Sequence, residues 1–315
     1  MRKWVYILIV SILLVVGAVI CAFRWQAWFV TPPEPHWTGT TIDSTFQCPI
    51  SNHQSPITNP RTILVLGDIH SRLTHADYDT LAARVPDAEI VMQVGDWMER
   101  GQEYYRQLLL REWQASALNG LPVIACPGNH EYSKGIHKTL SPAWSNTFMH
   151  PENGPIGVPG ASYWIDLSDN LRIIAIDTNP LSHIVYMTRT LTWLRELMKS
   201  AGDRYIIVLM HHPVFSAAKG RANPSIYSTF RHALGQTDLV LAGHDHRYMR
   251  RTPFVLLNTA GKIKAPRKHT QKAEVCDSVP VYGVLQITNH QSPIRFTVHR
   301  MSDGVQIDSL YVNHD

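Results

Sequence analysis

Five short polar motifs occur in order along the chain, and each contains residue types that bind metal ions. They are Gly67-Asp68-Ile69-His70, Gly95-Asp96, Gly128-Asn129-His130-Glu131, His211-His212-Pro213 and Gly243-His244-Asp245-His246. Carboxylate, amide and imidazole groups are common protein ligands for divalent cations. Because these types recur in five blocks, the sequence predicts a hydrolytic site that holds two metal ions.

A two-metal site suits the hydrolysis of a phosphate ester. That reaction needs a nucleophile and neutralisation of charge at phosphorus, and two divalent ions about 3.5–4 Å apart can supply both. Such a pair needs a carboxylate between the ions, with oxygen or imidazole ligands around each. The motifs contain all of these groups.

Each motif follows an apolar run that predicts a β-strand. Strands present the residues at their carboxyl ends to one crevice, so residues that are distant in sequence can share a site. Helical patterns alternate with the runs, which predicts an α/β domain with parallel strand pairs. The predicted strands are 62–66, 90–94, 123–126, 205–210 and 239–242, and the predicted helices are 76–85, 103–118, 190–199 and 225–234.

Two other stretches depart from this alternation. Residues 133–162 are rich in proline and glycine, and predict a long loop that either forms the rim of the site or has no role in substrate choice. After the fifth motif come short apolar runs that predict a second sheet with a hairpin turn at Ser302-Asp303-Gly304. These runs are 254–257, 281–287, 295–298 and 305–312. We find no internal repeat and expect a single domain over residues 61–315.

The order of the five blocks resembles that of the calcineurin-like metallophosphoesterase superfamily, and the resemblance covers residues 61–312. It implies a four-layer α/β/β/α sandwich of two mixed sheets. It also implies two divalent metal ions, which would be Mn, Fe or Zn. In the superfamily pattern Asp96 bridges the ions, Asp68, His70 and His246 bind one of them, and Asn129, His211 and His244 bind the other. His212 is then a structural neighbour of His211.

The same resemblance implies three catalytic residues. The histidine that follows the asparagine ligand faces the substrate, so His130 would stabilise the transition state or protonate the leaving oxygen. Residues 95–101 resemble a block of the serine/threonine phosphoprotein phosphatases, in which an acidic residue pairs with that histidine and an arginine binds phosphate. By this match Glu99 would orient His130, and Arg100 would contact the substrate phosphate. The alternative for Glu99 and Arg100 is a solvated pair at the start of a helix, and Glu131 is expected to form a structural hydrogen bond.

Two departures from known relatives limit the metal and phosphate contacts. Pro127 stands where phosphoprotein phosphatases have an arginine, so one phosphate contact is missing. The motifs at His211 and His244 resemble those of purple acid phosphatases, but Glu99 stands where those enzymes have an iron-binding tyrosine. We therefore do not expect an Fe(III)-tyrosinate centre.

The N-terminus predicts a membrane anchor. Residues 4–23 contain no charged side chain, and a helix of this length spans roughly 30 Å, enough to cross a hydrocarbon core. We expect an uncleaved, single-pass anchor over residues 1–30 and a linker over residues 31–60; the alternative is a cleaved signal peptide. Arg2 and Lys3 precede the span, which predicts a catalytic domain outside the cytoplasm, in the periplasm of a Gram-negative cell.

The remaining composition bears on partners. A net charge of +4 is too small to indicate nucleic acid as a partner. Cys48 and Cys276 are a possible disulfide pair in an oxidising compartment.

The first functional hypothesis is hydrolysis of a phosphate monoester. The alternatives are a phosphodiesterase or pyrophosphatase acting on a nucleotide or lipid-linked substrate, and a catalytically silent binding protein; the oligomeric state is left open.

Overall fold

The computed structural model describes most of the chain beyond the predicted linker. The described residues are 15, 46–47, 61–134, 138–218, 224–266, 273–287 and 293–312, without the side chains of 46, 47 and 224–228. The predicted anchor apart from residue 15, nearly all of the linker and Cys48 lie outside these residues. Within them, no helix is both long enough and apolar enough to cross a bilayer.

In the described part of the chain, six strands form one mixed sheet in the order β15-β14-β13-β2-β3-β4. Strands β2, β3 and β4 are parallel, and β13 continues the sheet antiparallel to β2. Strands β14 and β15 follow as antiparallel neighbours. Their bounds are β2 Thr62–Leu66, β3 Ile90–Gln93, β4 Val123–Ala125, β13 Val281–Gln286, β14 Ile294–Arg300 and β15 Gln306–Val312.

The second mixed sheet of the described residues has seven strands in the order β12-β10-β11-β9-β8-β7-β6. Strands β7, β8, β9 and β11 are parallel, with antiparallel strands at both ends. A short parallel pair, β1 Phe46–Gln47 with β5 Phe148–Met149, lies apart from both sheets. The bounds are β6 Tyr163–Ser168, β7 Leu171–Ile176, β8 Tyr205–Met210, β9 Leu239–Ala242, β10 Tyr248–Arg251, β11 Phe254–Leu256 and β12 Val275–Asp277.

Helices cover the outer face of each sheet. Tyr78 and Trp113, on α1 and α2, pack against one face of the six-stranded sheet, and Leu194 and Phe230, on α4 and α5, pack against one face of the other. Helix α1 begins with a capping box, in which the Thr74 hydroxyl and the Asp77 side chain satisfy each other's backbone N–H groups. The bounds are α1 His75–Arg84, α2 Glu103–Gln114, α3 Pro142–Ser145, α4 Ile184–Lys199 and α5 Pro224–Leu234.

The inner faces of the two sheets bury a third apolar core between them. Alternate residues of β2 and β8, such as Ile63, Val65, Ile207 and Leu209, contribute to it and are fully buried. Alternation along a strand sends the intervening residues to the helix-covered faces. The result is four layers, helix, sheet, sheet and helix, as the family resemblance implied.

Several elements differ from the sequence prediction. Strands β6, β7, β10 and β12 of the seven-stranded sheet and the short pair β1 and β5 were not predicted. The predicted second sheet is divided between the two observed sheets. The run at 254–257 joins β8 and β9 as β11, and the runs at 281–287, 295–298 and 305–312 join β2 as β13, β14 and β15. Helix α2 ends at Gln114 and not at residue 118. Helix α4 begins at Ile184, whereas the predicted start is residue 190. The helix has no side-chain cap at its N-terminus, so the sequence does not mark where it begins. Residues 133–162 form the predicted long connection, with α3 and β5 inside it.

Candidate metal centre

The five motifs follow the carboxyl ends of β2, β3, β4, β8 and β9, and these ends meet at one edge of the sandwich. Backbone hydrogen bonds tie the loops together. The N–H groups of Ile69 and His70 donate to the carbonyl of Asp96 at 3.0 and 2.9 Å, and Gly243 donates to the carbonyl of His211 at 3.1 Å. The loops therefore form one structural unit before any side chain is considered.

The first group of ligands is Asp68, His70, Asp96 and His246, which are all buried. One donor atom of each lies within 4.8 Å of the others. The Nε2 atoms of His70 and His246 are 3.0 Å apart, and His246 Nε2 lies 3.7 Å from Asp68 Oδ1. Since His246 Nδ1–H donates to the Lys262 carbonyl at 2.8 Å, its Nε2 lone pair is directed towards the group.

The second group brings together Asn129, His211 and His244. Asn129 Oδ1 lies 2.8 Å from His244 Nδ1 and 3.2 Å from His211 Nε2. His211 Nδ1–H donates to the Val94 carbonyl at 3.0 Å, which leaves Nε2 for the group. His212 is also close, since a ring nitrogen of it lies within 4.8 Å of the other two histidines, but its Nδ1 contacts the Thr178 hydroxyl at 2.6 Å.

Asp96 lies between the two groups. Its Oδ2 is 3.7 Å from His70 Nε2 on one side and 3.2 Å from His211 Nε2 on the other. Its Oδ1 accepts a hydrogen bond from the backbone N–H of His130 at 2.8 Å. A carboxylate in this position can serve two ions, which is the place that the family resemblance assigns to it.

Two glycines allow this close approach. A Cβ atom on Gly128 would lie 2.1 Å from Asp96 Oδ1, and one on Gly95 would lie 2.5 Å from His211 Nδ1. Both are far shorter than a van der Waals contact, so only glycine fits at either position. The glycines of the Gly-Asp and Gly-Asn-His motifs are therefore part of the ligand geometry.

The buried charges of the centre favour a cation. Burial raises the pKa of Asp68 to about 8, with His211 opposing the shift and Asp96 adding to it. Burial also acts to raise the pKa of Asp96, but the neighbouring imidazoles of His211, His130 and His70 together outweigh it, and that pKa is lowered. Among the residues that the structure describes, Asp68 Oδ2 is buried without a hydrogen-bond partner. A divalent cation would compensate both carboxylates and supply the missing partner, so the donor set fits such an ion.

Four of the ligands have an unusual backbone conformation. His70, Asp96, His244 and His246 have φ values of 54°, 54°, 70° and 53°, in the left-handed region. Residues with a Cβ atom adopt this region at a cost of about 1–2 kcal/mol each. Strain of this kind is typical of functional sites, where the surrounding structure holds a side chain in one direction.

His130 lies at the edge of the centre and is half-buried. Its Nδ1–H donates to the Glu99 carbonyl at 2.5 Å, and its Nε2 is 3.9 Å from Asp96 Oδ2. The ring stands edge-on to that of His70, with 4.5 Å between centroids. The Nε2 atom therefore faces the metal ligands, as a substrate-facing histidine requires.

Glu99 contacts His130 through its backbone carbonyl, which accepts the hydrogen bond from His130 Nδ1. The carboxylate lies 3.4 Å from His70 Nδ1 and 3.4 Å from Arg72. At this distance the carboxylate and the His70 ring do not form a hydrogen bond, since His70 Nδ1 has no hydrogen-bond partner among the described residues. A carboxylate oxygen of Glu99 also lies within 4.8 Å of a ring nitrogen of His130. That Glu99 orients His130 therefore stays a prediction.

Arg100 is exposed and lines a cleft of 570 Å³ beside the centre. Asn129 and His130 line the same cleft, so its floor is part of the predicted site. The structure therefore places Arg100 in the same cleft as Asn129 and His130. Lys134 and Lys138 also line the cleft, and the sequence analysis did not select them.

Glu131 forms structural hydrogen bonds, in line with the sequence analysis. Its carboxylate accepts from the backbone N–H groups of Asp96 at 3.0 Å, Met98 at 2.9 Å and Gly128 at 2.7 Å. It is fully buried, and burial raises its pKa to about 7. Glu131 therefore joins the loop that carries Asp96 to the loop that carries Asn129.

A second structural cluster was not predicted. The side-chain amide of Asn179 donates to the Gly128 carbonyl at 3.2 Å and to Asp177 Oδ1 at 3.0 Å. Asp177 is fully buried and accepts further hydrogen bonds from the Tyr132 hydroxyl and the Ala161 N–H. These residues follow β7, so the signal that could have found them is again a polar stretch, Asp177-Thr178-Asn179, after an apolar run.

Comparison with known proteins agrees with this geometry. The sequence model of the calcineurin-like phosphoesterase family matches residues 61–248. No curated protein matches the chain.

Solved structures share the fold at low sequence identity. GAP50 of Plasmodium superposes with a TM-score of 0.58 at 15% identity, over 80% of this chain and 88% of that one. A purple acid phosphatase from yellow lupin seeds gives 0.57 at 16% identity, over 80% of this chain and 53% of that one. The family match spans more than half of the sequence and includes every predicted metal ligand, and the protein therefore belongs to the calcineurin-like phosphoesterase family.

Proposed function

We propose that the protein is a metal-dependent phosphoesterase that hydrolyses a phosphate monoester at a dinuclear centre. The observation that carries the proposal is the position of Asp96, whose Oδ2 lies within 3.7 Å of a nitrogen from each ligand group. A single bridging carboxylate between two sets of buried donors is the arrangement that a pair of divalent ions requires.

The two groups of donors would each hold one ion. Asp68, His70 and His246 would hold one, Asn129, His211 and His244 would hold the other, and Asp96 would contribute to both. When bound, two divalent ions neutralise the phosphate and lower the pKa of an attacking water. Mn, Fe and Zn all accept imidazole and carboxylate ligands, so the donor set is compatible with each.

His130 and Arg100 act on the substrate. Because Nδ1 of His130 donates to a carbonyl, Nε2 is the nitrogen that can donate a proton to the leaving oxygen. The Arg100 guanidinium presents paired N–H donors that fit two phosphate oxygens. A monoester has three terminal oxygens and more negative charge than a diester, which has two, so a cationic side chain at this position favours monoesters over diesters.

The test compares two chromogenic esters. Full-length protein is stripped of metal, reloaded with Mn or Zn, and assayed with p-nitrophenyl phosphate and bis-p-nitrophenyl phosphate. We expect metal-dependent hydrolysis of the monoester and its loss in Asp96→Asn, which keeps the shape of the bridging ligand but not its charge. A higher kcat/KM for the diester would instead support a phosphodiesterase or pyrophosphatase.

A membrane anchor remains part of the proposal. Its support is the uncharged run of residues 4–23, preceded by Arg2 and Lys3. Carbonate extraction of membranes should leave the full-length protein in the pellet. A periplasm-only reporter fused to the C-terminus should be active; activity of a cytoplasm-only reporter in its place would reverse the orientation.

A second candidate function is that of a binding protein without catalysis. The likeness to GAP50, described as the anchor in the inner membrane complex of Plasmodium, favours it. Against it stands the complete donor set, since a protein that only binds a partner has no need of seven converging ligands. Stoichiometric metal binding without turnover of either ester would favour this second function.

A further inference from the structure

Three cationic side chains line the cleft beside the metal centre, and the surface that they form is called the wall below. Arg100, Lys134 and Lys138 all line the 570 Å³ cleft, together with Asn129 and His130. All three cations are exposed to solvent, and the cleft has the volume of a small-molecule site. A substrate held at the metals would therefore extend along this wall.

Among the residues that the structure describes, no carboxylate forms an ion pair with any of the three cations of the wall. The acidic residue of the cleft lining, Glu99, is engaged at 3.4 Å with both His70 and Arg72. Like charges gathered on one wall raise the local potential and attract an anion.

Local structure holds the two lysines on neighbouring arms of one loop. The N–H of Ser133 donates to the Thr139 carbonyl at 2.9 Å, and the N–H of Thr139 donates to the Ser133 hydroxyl at 3.0 Å. Tyr132 and Leu140 form an antiparallel bridge just beyond this pair. Lys134 follows one arm of the bridge and Lys138 precedes the other, so the pairing directs both lysines to the same cleft.

The two lysines are separate from the group that serves the scissile phosphate. Arg100 follows Glu99, whose carbonyl accepts a hydrogen bond from His130, and the proposed function assigns its guanidinium to the reacting phosphate. Lys134 and Lys138 lie on a different segment, after the Gly-Asn-His-Glu motif. Ammonium groups act as point charges that accept many anion geometries, which suits a second group at variable distance.

We propose that Lys134 and Lys138 bind a second anionic group of the substrate, so that the substrate is a phosphate ester that also carries a further phosphate or carboxylate. This inference rests on the proposed phosphoesterase activity and narrows its substrate class. It distinguishes the protein from a phosphatase that recognises the scissile phosphate alone.

The test uses two esters that differ only in the second anion, 3-hydroxypropyl phosphate and propane-1,3-diol bisphosphate. The readout is the ratio of kcat/KM for the bisphosphate to that for the monophosphate, which cancels any general change in activity. Two exposed ionic contacts should give a ratio of about tenfold in the Mn-loaded protein. In the Lys134→Gln/Lys138→Gln protein the ratio should fall to about two, the statistical value for a substrate with two equivalent phosphates. It should persist in Lys199→Gln, a matched loss of charge on α4.

The outcomes separate this inference from the proposed activity. A kcat/KM ratio no higher than this statistical value in the unmodified protein, or a ratio that the double substitution leaves unchanged, would overturn the second-anion site. Absence of turnover of both esters would count against the activity, and calorimetry with the same two compounds would then decide the site. Tighter binding of the bisphosphate that is lost in the double variant would sustain the site, and affinities that differ only by the statistical factor would refute it.

Discussion

Replacing Gly128 by alanine should disable the metal centre while the fold survives. The new Cβ atom would lie 2.1 Å from Asp96 Oδ1 and 2.4 Å from the Asp96 backbone nitrogen. To reach an ordinary contact of 3.4 Å, the methyl group and the carboxylate must separate by about 1.3 Å. A misplacement of about 1 Å costs roughly 100-fold in rate. We therefore expect kcat/KM for p-nitrophenyl phosphate to fall by about 100-fold in the Mn-loaded protein.

The same substitution should cost only part of the stability. Overpacking in a close-packed interior costs about 1–3 kcal/mol, which lowers the melting temperature by several degrees in a domain of this size. Gly202→Ala is a matched control, because Gly202 has a φ of 62° and no atom within 4 Å of an added Cβ. Gly202 lies before β8, at the opposite end of that strand from His211. Its substitution therefore strains the backbone away from the centre, at a cost of about 1–2 kcal/mol.

Two results would refute this reasoning. Folded Gly128→Ala protein with kcat/KM within threefold of the unmodified protein would show that Asp96 does not need its position. An equal loss of activity in Gly202→Ala would show that activity follows global stability and not the contact at Asp96. Thermal denaturation and near-UV circular dichroism of both variants establish that each is folded at the assay temperature.

Three more predictions concern the supports of the centre and its charges. Asn179→Ala removes the hydrogen bond to the Gly128 carbonyl, so Mn affinity measured by calorimetry should fall at least about tenfold; an unchanged affinity would contradict a positioning role. Chelation of bound metal should lower the melting temperature, and Mn at about 100 times its Kd should restore about 2.7 kcal/mol of stability. In the Asp96→Asn protein, as control, the gain in stability on adding Mn should be smaller. Burial lowers the pKa of His150 from 6.5 to about 4. The neutral side chain therefore contributes to the free energy of unfolding above pH 6.5, and this contribution is lost as the pH falls to 4. Urea denaturation with chelator should show about 2 kcal/mol less stability at pH 4 than at pH 6.5 from this residue, and the loss should be absent in His150→Gln.

The sequence was most informative where strands end in polar motifs. Strands β2, β8 and β9 have the predicted bounds, since each is an apolar run closed by a glycine or a histidine. Strand polarity predicted that the ligands after β2, β3 and β4 meet at one edge, and likewise those after β8 and β9. That these edges belong to two sheets packed face to face was implied only by the family resemblance. The pairing of Asp96 with both ligand groups came from the family resemblance.

Contacts between separate loops could not be predicted in the same way. Glu99 was assigned to His130 by a motif match, but the direction of its carboxylate depends on where Arg72 and His70 lie after folding. Asp177 and Asn179 were missed because β7 follows a stretch without periodicity, so the strand that delivers them was not predicted. The polar stretch after β7 could have marked these residues as candidates, but it does not show that the partner of Asn179 is the distant carbonyl of Gly128.

The left-handed backbone at His70, Asp96, His244 and His246 bears on how this protein could diverge. Without bound metal, the left-handed conformation at each of these residues raises the free energy of the folded state by about 1–2 kcal/mol, a cost that glycine would avoid. A lineage freed from metal binding would gain stability by exchanging them for glycine one at a time, and selection for a stable scaffold would favour each step. This chain retains a ligand side chain at all four positions, so it has kept the less stable alternative. That trade-off between scaffold stability and ligand geometry is expected of a protein selected to hold metal.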